Sequence, residues 1–468
     1  MMEEKNQAEL LREKLFANPK HAALRLSDEE IDKAFAWCEG YKDFLQKNKT
    51  EREIAAEVMK LAKENGFKEF DSSKAYKTGD KVFFNIKEKA VILTVFGKRS
   101  LADGVKIAAA HIDSPRIDIK PNPMYEDLEL ALLKTHYYGG IKKYQWPITP
   151  LSLHGVIIRK DGSKLTVNIG EDDNDPKFVI TDLLPHLADE QAKRPLGKGI
   201  KGEELNVLIG SMPFRSDSGS ELVKLNILKI LNEKYDLVES DFLSAELEMV
   251  PATKVTDLGF DRSMIGGYGH DDRVCAYPAL RAALDCTEPD YTTVTVLTDK
   301  EEIGSVGNTG LSSAYLEYFV QDLAKTQGLE GRDVLRKSEC LSADVNAAMD
   351  PTYPDAHEKL NAAFFNRGIV VTKYTGSGGK GGTSDANAEF VGKLRKLFDD
   401  NGVVWQIGEL GKVDGGGGGT VAKFVAHLGV DVVDVGVPVL SMHAPFEQVA
   451  KLDVYMAYKA FCTFYNQK

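Results

Sequence analysis

The chain has 468 residues, of which 43% are hydrophobic and 28% are charged, and its formal net charge is -12. This length and composition are typical of a globular protein with a large core and two domains. The negative charge argues against nucleic acid as a partner, because binding to phosphates requires a basic surface. No segment reaches the roughly 20 consecutive apolar residues of a membrane-spanning helix, so no membrane partner is expected.

The N-terminus and the cysteines both indicate a cytoplasmic protein. Residues 1–5 are polar and no apolar segment follows them, which is not the pattern of a secretory signal. The five cysteines are scattered and lack C-x-x-C spacing. We therefore expect neither a disulfide framework nor a cysteine-zinc site, and a reducing compartment is the natural setting.

The first 110 residues predict helices followed by strands. Two capping boxes of the form Ser/Thr-x-x-Glu begin at Ser27 and Thr50, and Gly66 is placed to end the second helix. Apolar runs at 91–96 and 105–110 have the length and composition of buried strands.

The pattern of predicted elements changes near residue 116 and again near residue 250. Between these points short β-rich stretches alternate with charged, turn-rich segments. After residue 250, strand candidates alternate with helix candidates, which predicts an α/β fold with a mostly parallel central sheet flanked by helices. We predict a catalytic α/β domain formed by residues 1–115 and 250–468, interrupted by a β-rich insert at 116–249.

Polar residues follow or end three of the strand candidates in the α/β part. They are His111, the adjacent pair Glu301 and Glu302, and Asp344. Ligands of open α/β sheets gather at the carboxyl ends of the strands. Residues that are distant in sequence are therefore expected to meet there.

These residues, together with Asp271 and His443, fit the requirements of a two-metal hydrolytic centre. Such a centre needs a histidine for each metal, a bridging carboxylate, further carboxylates and a base for the attacking water. His111 and His443 supply the nitrogen ligands, Asp271 can bridge, and Asp344 can complete one shell.

The two adjacent glutamates can divide the remaining roles. One would bind a metal while the other would move protons, but the residues alone do not decide which of Glu301 and Glu302 does which. Asp113 lies two positions after His111 and can accept the second imidazole N–H, which fixes the tautomer of a ligating histidine.

Each motif also has a simpler interpretation when it is taken alone. The sequence His-x-Asp often forms a local hydrogen bond, and Asp-Asp-Arg at 271–273 can be a charged turn or a helix start. Asp344 can be a turn residue, and His443 can be a partly buried histidine with a hydrogen-bond partner. The metal hypothesis depends on all the motifs together.

Taken in order, the motifs resemble those of the aspartyl aminopeptidase family of di-zinc metallopeptidases, as in a bacterial member. The similarity spans nearly the whole chain, including the insert. The motifs that carry it are AHIDSP (110–115), GHDDR (269–273), DKEEIGS (299–305), SAD (342–344) and LSMH (440–443).

The resemblance implies a role for each residue of the site. The ligands of two zinc ions would be His111, Asp271, Glu302, Asp344 and His443. Among these, Asp271 would bridge the metals; outside the ligand set, Glu301 would be the general base and Asp113 would support His111. Cobalt or manganese would also suit this mixed set of ligands.

The resemblance also implies an assembly and a reaction. The insert would be a dimerisation domain, and the chain would form a homo-oligomer, a tetrahedral dodecamer built from dimers. The reaction would be hydrolysis of the N-terminal residue, preferentially acidic, from peptide substrates.

Three residues are expected to bind substrate, with an alternative for two of them. Lys373 matches a family lysine that holds the acidic side chain, but the tyrosine that normally follows is replaced by a glycine-rich stretch, 376–382. Lys380 in that stretch can substitute as a cation or be a solvated loop lysine. His186 matches a histidine that reaches into a neighbouring subunit's active site, or it is an ordinary interface histidine.

These departures leave two alternatives to an acidic-specific aminopeptidase. The first is the same chemistry with neutral or broad N-terminal specificity, which the altered segments 141–147 and 374–383 motivate. The second is a non-catalytic assembly protein that retains the fold, against which the intact ligands and Glu301 argue.

Overall fold

The computed structural model describes residues 6–17 and 19–468, so the polar N-terminus discussed above, 1–5, lies outside the described residues. The helices are α1 (Gln7–Leu15), α2 (Asp28–Lys47), α3 (Glu51–Glu64), α4 (Asp189–Ala192), α5 (Leu222–Tyr235), α6 (His270–Asp285), α7 (Tyr315–Lys325), α8 (Gly331–Leu335), α9 (Ala388–Asp400), α10 (Ala422–His427) and α11 (Lys451–Tyr465). Within this described part, no helix is long and apolar enough to cross a bilayer.

The strands belong to three large sheets and one short ribbon. In chain order they are β1 (Lys68–Glu69), β2 (Lys81–Ile86), β3 (Ala90–Val95), β4 (Lys106–His111), β5 (Arg116–Asp127), β6 (Leu130–Tyr138), β7 (Leu151–Ile158), β8 (Lys164–Ile169), β9 (Val179–Ile180), β10 (Val207–Gly210), β11 (Ala245–Pro251), β12 (Thr256–Leu258), β13 (Met264–Gly267), β14 (Thr293–Thr298), β15 (Glu339–Ala343), β16 (Asn346–Ala347), β17 (Ile369–Thr372), β18 (Gly376–Ser377), β19 (Trp405–Ile407), β20 (Gly417–Gly418), β21 (Asp431–Gly436), β22 (Pro438–Leu440) and β23 (Glu447–Ala450).

The central sheet has nine strands in the order β1-β2-β3-β14-β4-β15-β21-β17-β19. The four middle strands, β14, β4, β15 and β21, are parallel to one another. Along β4, Ile107 and Ala109 face one core while Ala108 and Ala110 face another, because successive side chains of a strand point to opposite faces.

Helices cover both faces of this sheet. Helices α2, α3, α6, α9 and α11 contribute to the core on one face, and α7, α8 and α10 contribute to the core on the other. A parallel sheet needs such cover because both of its faces are apolar. The predicted α/β fold is confirmed.

A second sheet of seven strands is formed between residues 116 and 251, in the order β8-β7-β11-β5-β6-β10-β9. Its longest pair, the hairpin of β5 and β6, was not evident from the sequence. Pro121 and Pro123 interrupt the alternation of β5, and the register with β6 shifts between Ile119 and Met124.

Two buried ionic clusters join this sheet to helix α3. The guanidinium of Arg116 lies 3.3 Å from the Glu51 carboxylate and 3.2 Å from that of Glu248. In the other cluster, His154 Nδ1 lies 2.8 Å from Glu53 and Nε2 lies 3.1 Å from Glu171. Charges this deeply buried require such partners.

A third sheet, β12-β13-β23-β22-β16, has five strands and was not predicted either. Most of its strands have two to four residues, too short for a recognisable alternation. The antiparallel strands β22 and β23 are joined by the turn that contains His443, whose φ is 65°. This sheet therefore sets the position of one predicted ligand.

Candidate metal centre

The predicted ligands come from the carboxyl ends of neighbouring strands. His111 is the last residue of β4, Glu301 and Glu302 follow β14 in a short helical turn, and Asp344 follows β15. Because β14, β4 and β15 are adjacent and parallel, their ends meet at one edge of the central sheet. Asp271 reaches the same point from the start of α6.

One carboxylate lies between the two predicted histidine ligands. Oδ1 of Asp271 is 3.1 Å from His111 Nε2, and Oδ2 of Asp271 is 3.1 Å from His443 Nε2. Asp271 therefore turns one oxygen toward each histidine, which is the arrangement of a carboxylate shared by two metal ions.

The other carboxylates surround this pair. His111 Nε2 lies 3.7 Å from Asp344 Oδ1 and 4.0 Å from Glu301 Oε2, and His443 Nε2 lies 3.6 Å from Glu302 Oε2. Among the described residues, two sets of potential ligand atoms lie within 4.8 Å of one another: His111, Glu301 and Asp344, and His111, Asp271 and Glu302.

The two compact sets of ligand atoms and the histidine–Asp271 distances place the histidines differently. His443 is in neither compact set, although its Nε2 is as close to Asp271 as that of His111. The two histidines contact different oxygens of Asp271, which accounts for the absence of His443 from a compact set that contains His111. The close approach of Glu301 also means that distance alone does not separate a ligand from a base.

The chemistry of these groups fits a divalent cation. Burial, followed by repulsion from Asp344, raises the pKa of Glu301 to about 8. Burial and the charge of Asp271 raise the pKa of Glu302, and Glu302 Oε1 is buried without a hydrogen-bond partner. Crowded carboxylates and an unpartnered oxygen are satisfied when a cation binds among them, and the mixture of imidazole and carboxylate suits zinc.

Both histidines are oriented through their second ring nitrogen. His111 Nδ1 donates to the carbonyl of Asp113 at 3.0 Å, and His443 Nδ1 donates to the carbonyl of Gly140 at 2.7 Å. Each bond leaves Nε2 directed at Asp271, as a metal ligand requires. The sequence predicted a hydrogen bond from His111 to Asp113. In the structure the backbone carbonyl of Asp113 accepts it, and the Asp113 carboxylate lies farther from Nδ1, at 3.3 Å.

The carboxylate of Asp113 holds the glutamate turn. It accepts the backbone N–H groups of Glu301 at 3.1 Å and Glu302 at 3.2 Å, and the hydroxyl of Tyr138 at 2.8 Å. Asp113 thereby fixes the turn that carries both glutamates as well as the ring of His111.

Sequence reasoning missed a second buried carboxylate with a comparable task. Glu447 accepts the backbone N–H of Asp271 at 3.1 Å and that of His443 at 2.7 Å. Burial, and then the charge of Asp271, raise the pKa of Glu447 to about 8. In the sequence, Glu447 is recognisable only as an acidic residue in the β-rich stretch after His443.

A cavity of about 430 Å³ opens in front of these residues. Its volume lies in the range of sites for small ligands. Besides the predicted ligands, its lining includes the glycine strand β20 and its continuation, Thr372 and Thr375, and Lys423 at the start of α10.

The three predicted substrate-binding residues lie elsewhere. Lys373 and Lys380 are exposed and share one carboxylate, Asp385, at 2.6 Å and 2.7 Å, and neither lines the cavity. The Lys380 ammonium also lies 3.8 Å from the centre of the Tyr374 ring. His186 is exposed in a turn of the insert and does not line the cavity of its own chain.

Comparison with known proteins agrees with a metal-dependent hydrolase on this fold. A probable M18 family aminopeptidase 1 of Clostridium acetobutylicum is 49% identical over 96% of this chain and 98% of that protein. Its counterpart in Thermotoga maritima is 44% identical over 92% and 95%.

Solved structures give the same result. The crystal structure of aminopeptidase I from Clostridium acetobutylicum has a TM-score of 0.92 at 46% identity, covering 97% of this chain and all of that one. The M18 aminopeptidase from Thermotoga maritima also has a TM-score of 0.92, at 42% identity and the same coverage. The S. cerevisiae mApe1 dodecamer shares the fold, with a TM-score of 0.74 at 20% identity over 93% of this chain and 97% of that one.

The fold and the cluster of buried ligands define the class of zinc metallopeptidases. A family model described as aminopeptidase I zinc metalloprotease (M18) matches residues 44–465, and the chain belongs to that family. The predicted family resemblance is confirmed, and the chain is a zinc-dependent aminopeptidase. This membership favours the enzyme over the non-catalytic assembly protein.

Proposed function

We propose that this aminopeptidase removes the N-terminal residue of peptides with two metal ions and a glutamate base. The observation that carries the proposal is the position of Asp271, whose two oxygens lie 3.1 Å from His111 Nε2 and 3.1 Å from His443 Nε2. A single metal ion would not need two histidines on opposite sides of one carboxylate.

In this proposal each metal has a histidine and a carboxylate besides the shared Asp271. His111 and Asp344 hold one ion, and Glu302 and His443 hold the other. Zinc is the proposed metal, and cobalt or manganese would also suit the ligands. Bound there, the metals would act as Lewis acids toward the peptide carbonyl and would lower the pKa of water.

Glu301 is the proposed general base. It takes a proton from the attacking water and passes it to the leaving nitrogen as the peptide bond breaks. Glu301 lines the cavity, and its Oε2 lies 4.0 Å from His111 Nε2, close to where a metal-bound water would be held. Asp113 keeps this glutamate in place through the backbone N–H of Glu301.

The proposed preference is for an acidic N-terminal residue, with neutral or broad specificity as the alternative. Lys373 and Lys380 remain proposed substrate ligands. Lys373 adjoins Thr372 of the cavity wall, but both ammonium groups are neutralised by Asp385, so they would have to leave that carboxylate to bind substrate.

We also propose a homo-oligomer, a dodecamer built from dimers through the insert at 116–249. Support comes from the fold shared with a dodecameric yeast protein and from exposed leucines on the insert, which are typical of protein interfaces. These leucines, at 183, 184, 187 and 196, surround His186 in the sequence. His186 is proposed to reach the active site of a neighbouring subunit.

The metal and base roles are tested together. We expect two zinc ions per chain by metal analysis of the purified protein. Glu301→Gln should retain both ions and lose at least about 1,000-fold in kcat, since it removes the proton carrier. Glu389→Gln, at an exposed position of α9, is the matched control and should resemble the wild type.

Two results would contradict this proposal. A protein with one metal per chain would rule out the shared role of Asp271, and an active Glu301→Gln variant would rule out the base. Hydrolysis of Asp-, Glu-, Leu- and Ala-amides in parallel separates acidic from broad specificity, and sedimentation gives the number of subunits.

A further inference from the structure

One cation in the active-site cavity has no anionic partner. Lys423 is the only lysine or arginine among the described residues that line the cavity. Within the described part of the chain, no carboxylate lies within the 4.0 Å of an ion pair from its ammonium group. Lys373 and Lys380, by contrast, are both bound to Asp385.

The structure around Lys423 keeps its ammonium group at the cavity wall. A Cβ on Gly419 would lie 3.4 Å from Nζ, so the ammonium passes directly over the glycine-rich strand. Nζ also lies 4.9 Å from the centre of the Phe424 ring. The small glycine and the ring both allow a charged end group to project into the cavity.

The acidic group of the same wall is bonded to neutral partners through one of its oxygens. Asp434 is buried, its Oδ1 accepts the hydroxyls of Ser342 and Thr420, each at 2.8 Å, and its Oδ2 has no hydrogen-bond partner among the described residues. It forms no ion pair with Lys423. The positive charge of Lys423 therefore lies in the lining of the same cavity as the proposed metal ligands, without an ion-pair partner among the described residues.

We propose that Lys423 is a specificity-determining residue whose ammonium group binds a carboxylate of the substrate. Lys423 lines the cavity but is itself exposed to solvent. A charge-assisted hydrogen bond from its ammonium group to a substrate carboxylate is therefore strengthened when the bound substrate excludes water from the cavity. The carboxylate is the side chain of an acidic N-terminal residue or the C-terminus of a short peptide. The inference rests on the proposed aminopeptidase mechanism and assigns the recognition that the mechanism leaves open.

The test replaces Lys423 and compares substrates with and without each carboxylate. Asp- and Glu-amides are compared with Leu- and Ala-amides, and the dipeptide Leu-Gly is compared with its C-terminal amide. For the substrates that carry the recognised carboxylate, Lys423→Met should lower kcat/KM by about 10- to 100-fold. Turnover of Leu- and Ala-amides should stay within about threefold of the wild type.

A charge reversal and a matched control sharpen the result. Lys423→Glu should lower turnover of the same carboxylate substrates further and raise that of amides with N-terminal Lys or Arg. Lys412→Met is the control, because Lys412 is exposed, precedes the same glycine strand and does not line this cavity. It should keep the wild-type preference.

Several outcomes would overturn the inference. Equal losses on all substrates, or no loss on any, would show that Lys423 does not select a carboxylate. Loss of the acidic preference in Lys373→Met or Lys380→Met but not in Lys423→Met would assign recognition to the other pair. A wild type that cleaves Leu-amide but ignores both carboxylates would overturn this inference alone, whereas a metal-loaded wild type that cleaves no substrate would overturn the proposed function.

Discussion

The hydroxyl of Tyr138 donates a 2.8 Å hydrogen bond to Oδ2 of Asp113. Tyr138 ends β6 of the seven-stranded sheet, and Asp113 follows β4 of the nine-stranded sheet. The same carboxylate accepts the backbone N–H groups of Glu301 and Glu302. The two sheets are thus connected through the residue that holds the glutamate turn.

Removing this hydroxyl is expected to slow catalysis without unfolding the protein. Tyr138→Phe should lower kcat/KM by about 10- to 150-fold, the equivalent of about 1.5–3 kcal/mol for a hydrogen bond to a charged group. Steady-state kinetics with a neutral amide substrate measure the effect. Tyr137→Phe changes an adjacent, exposed tyrosine and should leave kcat/KM unchanged. Identical kinetics for the two variants would contradict the role of Tyr138.

The carboxylate of Asp113 should matter more for metal binding than for folding. Asp113→Asn keeps the shape but loses the charge that faces His111 and the glutamate turn. Loss of a group that orients a metal ligand typically costs 10- to 100-fold in affinity, and competition with a chelator would measure it. Asp103→Asn, at an exposed position, is the control. Unchanged metal affinity in Asp113→Asn would argue against its supporting role.

Metal binding should compete with protons. Burial opposes the charge on His443, but the Asp271 hydrogen bond and the Glu302 charge outweigh it and raise its pKa to about 11. Burial raises the pKa of Glu301 to about 8. In the metal-free protein both groups hold protons at neutral pH, and the metal must displace protons from the site.

We therefore expect zinc affinity to rise with pH through pH 8, because Glu301 loses its proton near that value and His443 only at higher pH, and we expect binding to release protons. Calorimetry in buffers of different ionisation enthalpy measures that release. Because ligands bind the folded state, removal of the metals should also lower the melting temperature, and added zinc should restore it. A zinc affinity that does not change with pH would contradict the displacement of protons by the metal.

The cluster of His154, Glu53 and Glu171 should make stability depend on pH. Burial disfavours the charged form of His154, but hydrogen bonds to Glu171 and Glu53 outweigh it and raise its pKa above 6.5. A raised folded-state pKa stabilises the protein fully below the unfolded value and loses that effect as pH rises through the folded value. Stability should therefore decline on the alkaline side of pH 6.5.

His154→Gln should remove this alkaline decline and lower stability near pH 6. Urea unfolding of both proteins between pH 6 and 9 measures the difference. His136→Gln changes an exposed histidine of the same sheet and should keep the wild-type profile. Parallel profiles for wild type and His154→Gln would contradict this account.

The sequence was most informative about the strands that end at a candidate site residue. The apolar run 105–110 locates β4 to within one residue, and His111, Glu301 and Asp344 were each expected at the end of a strand of one sheet. Buried parallel strands are continuous apolar segments, and their ends are correspondingly clear.

The remaining parts depend on tertiary contacts that leave no local pattern. The carbonyl of Gly140 and the carboxylate of Glu447 contact the site from other sheets. Glu447 is marked only as an acidic residue in a β-rich stretch, and Gly140 has no signal in its neighbours. Lys380 was a reasonable cation by position, but Asp385, five residues later, holds it outside the cavity. Lys423 lies in a short helix that has no distinctive periodicity.

The hydrogen bond from His443 to the carbonyl of Gly140 means that the insert cannot be excised cleanly. Gly140 follows the last residues of β6, so a chain shortened by removing the seven-stranded sheet would also lose the group that orients a metal ligand. A displacement of that sheet would be transmitted to the imidazole without any change in the central strands. The proposed assembly through this sheet and the proposed catalysis at the metals would thereby be mechanically interdependent.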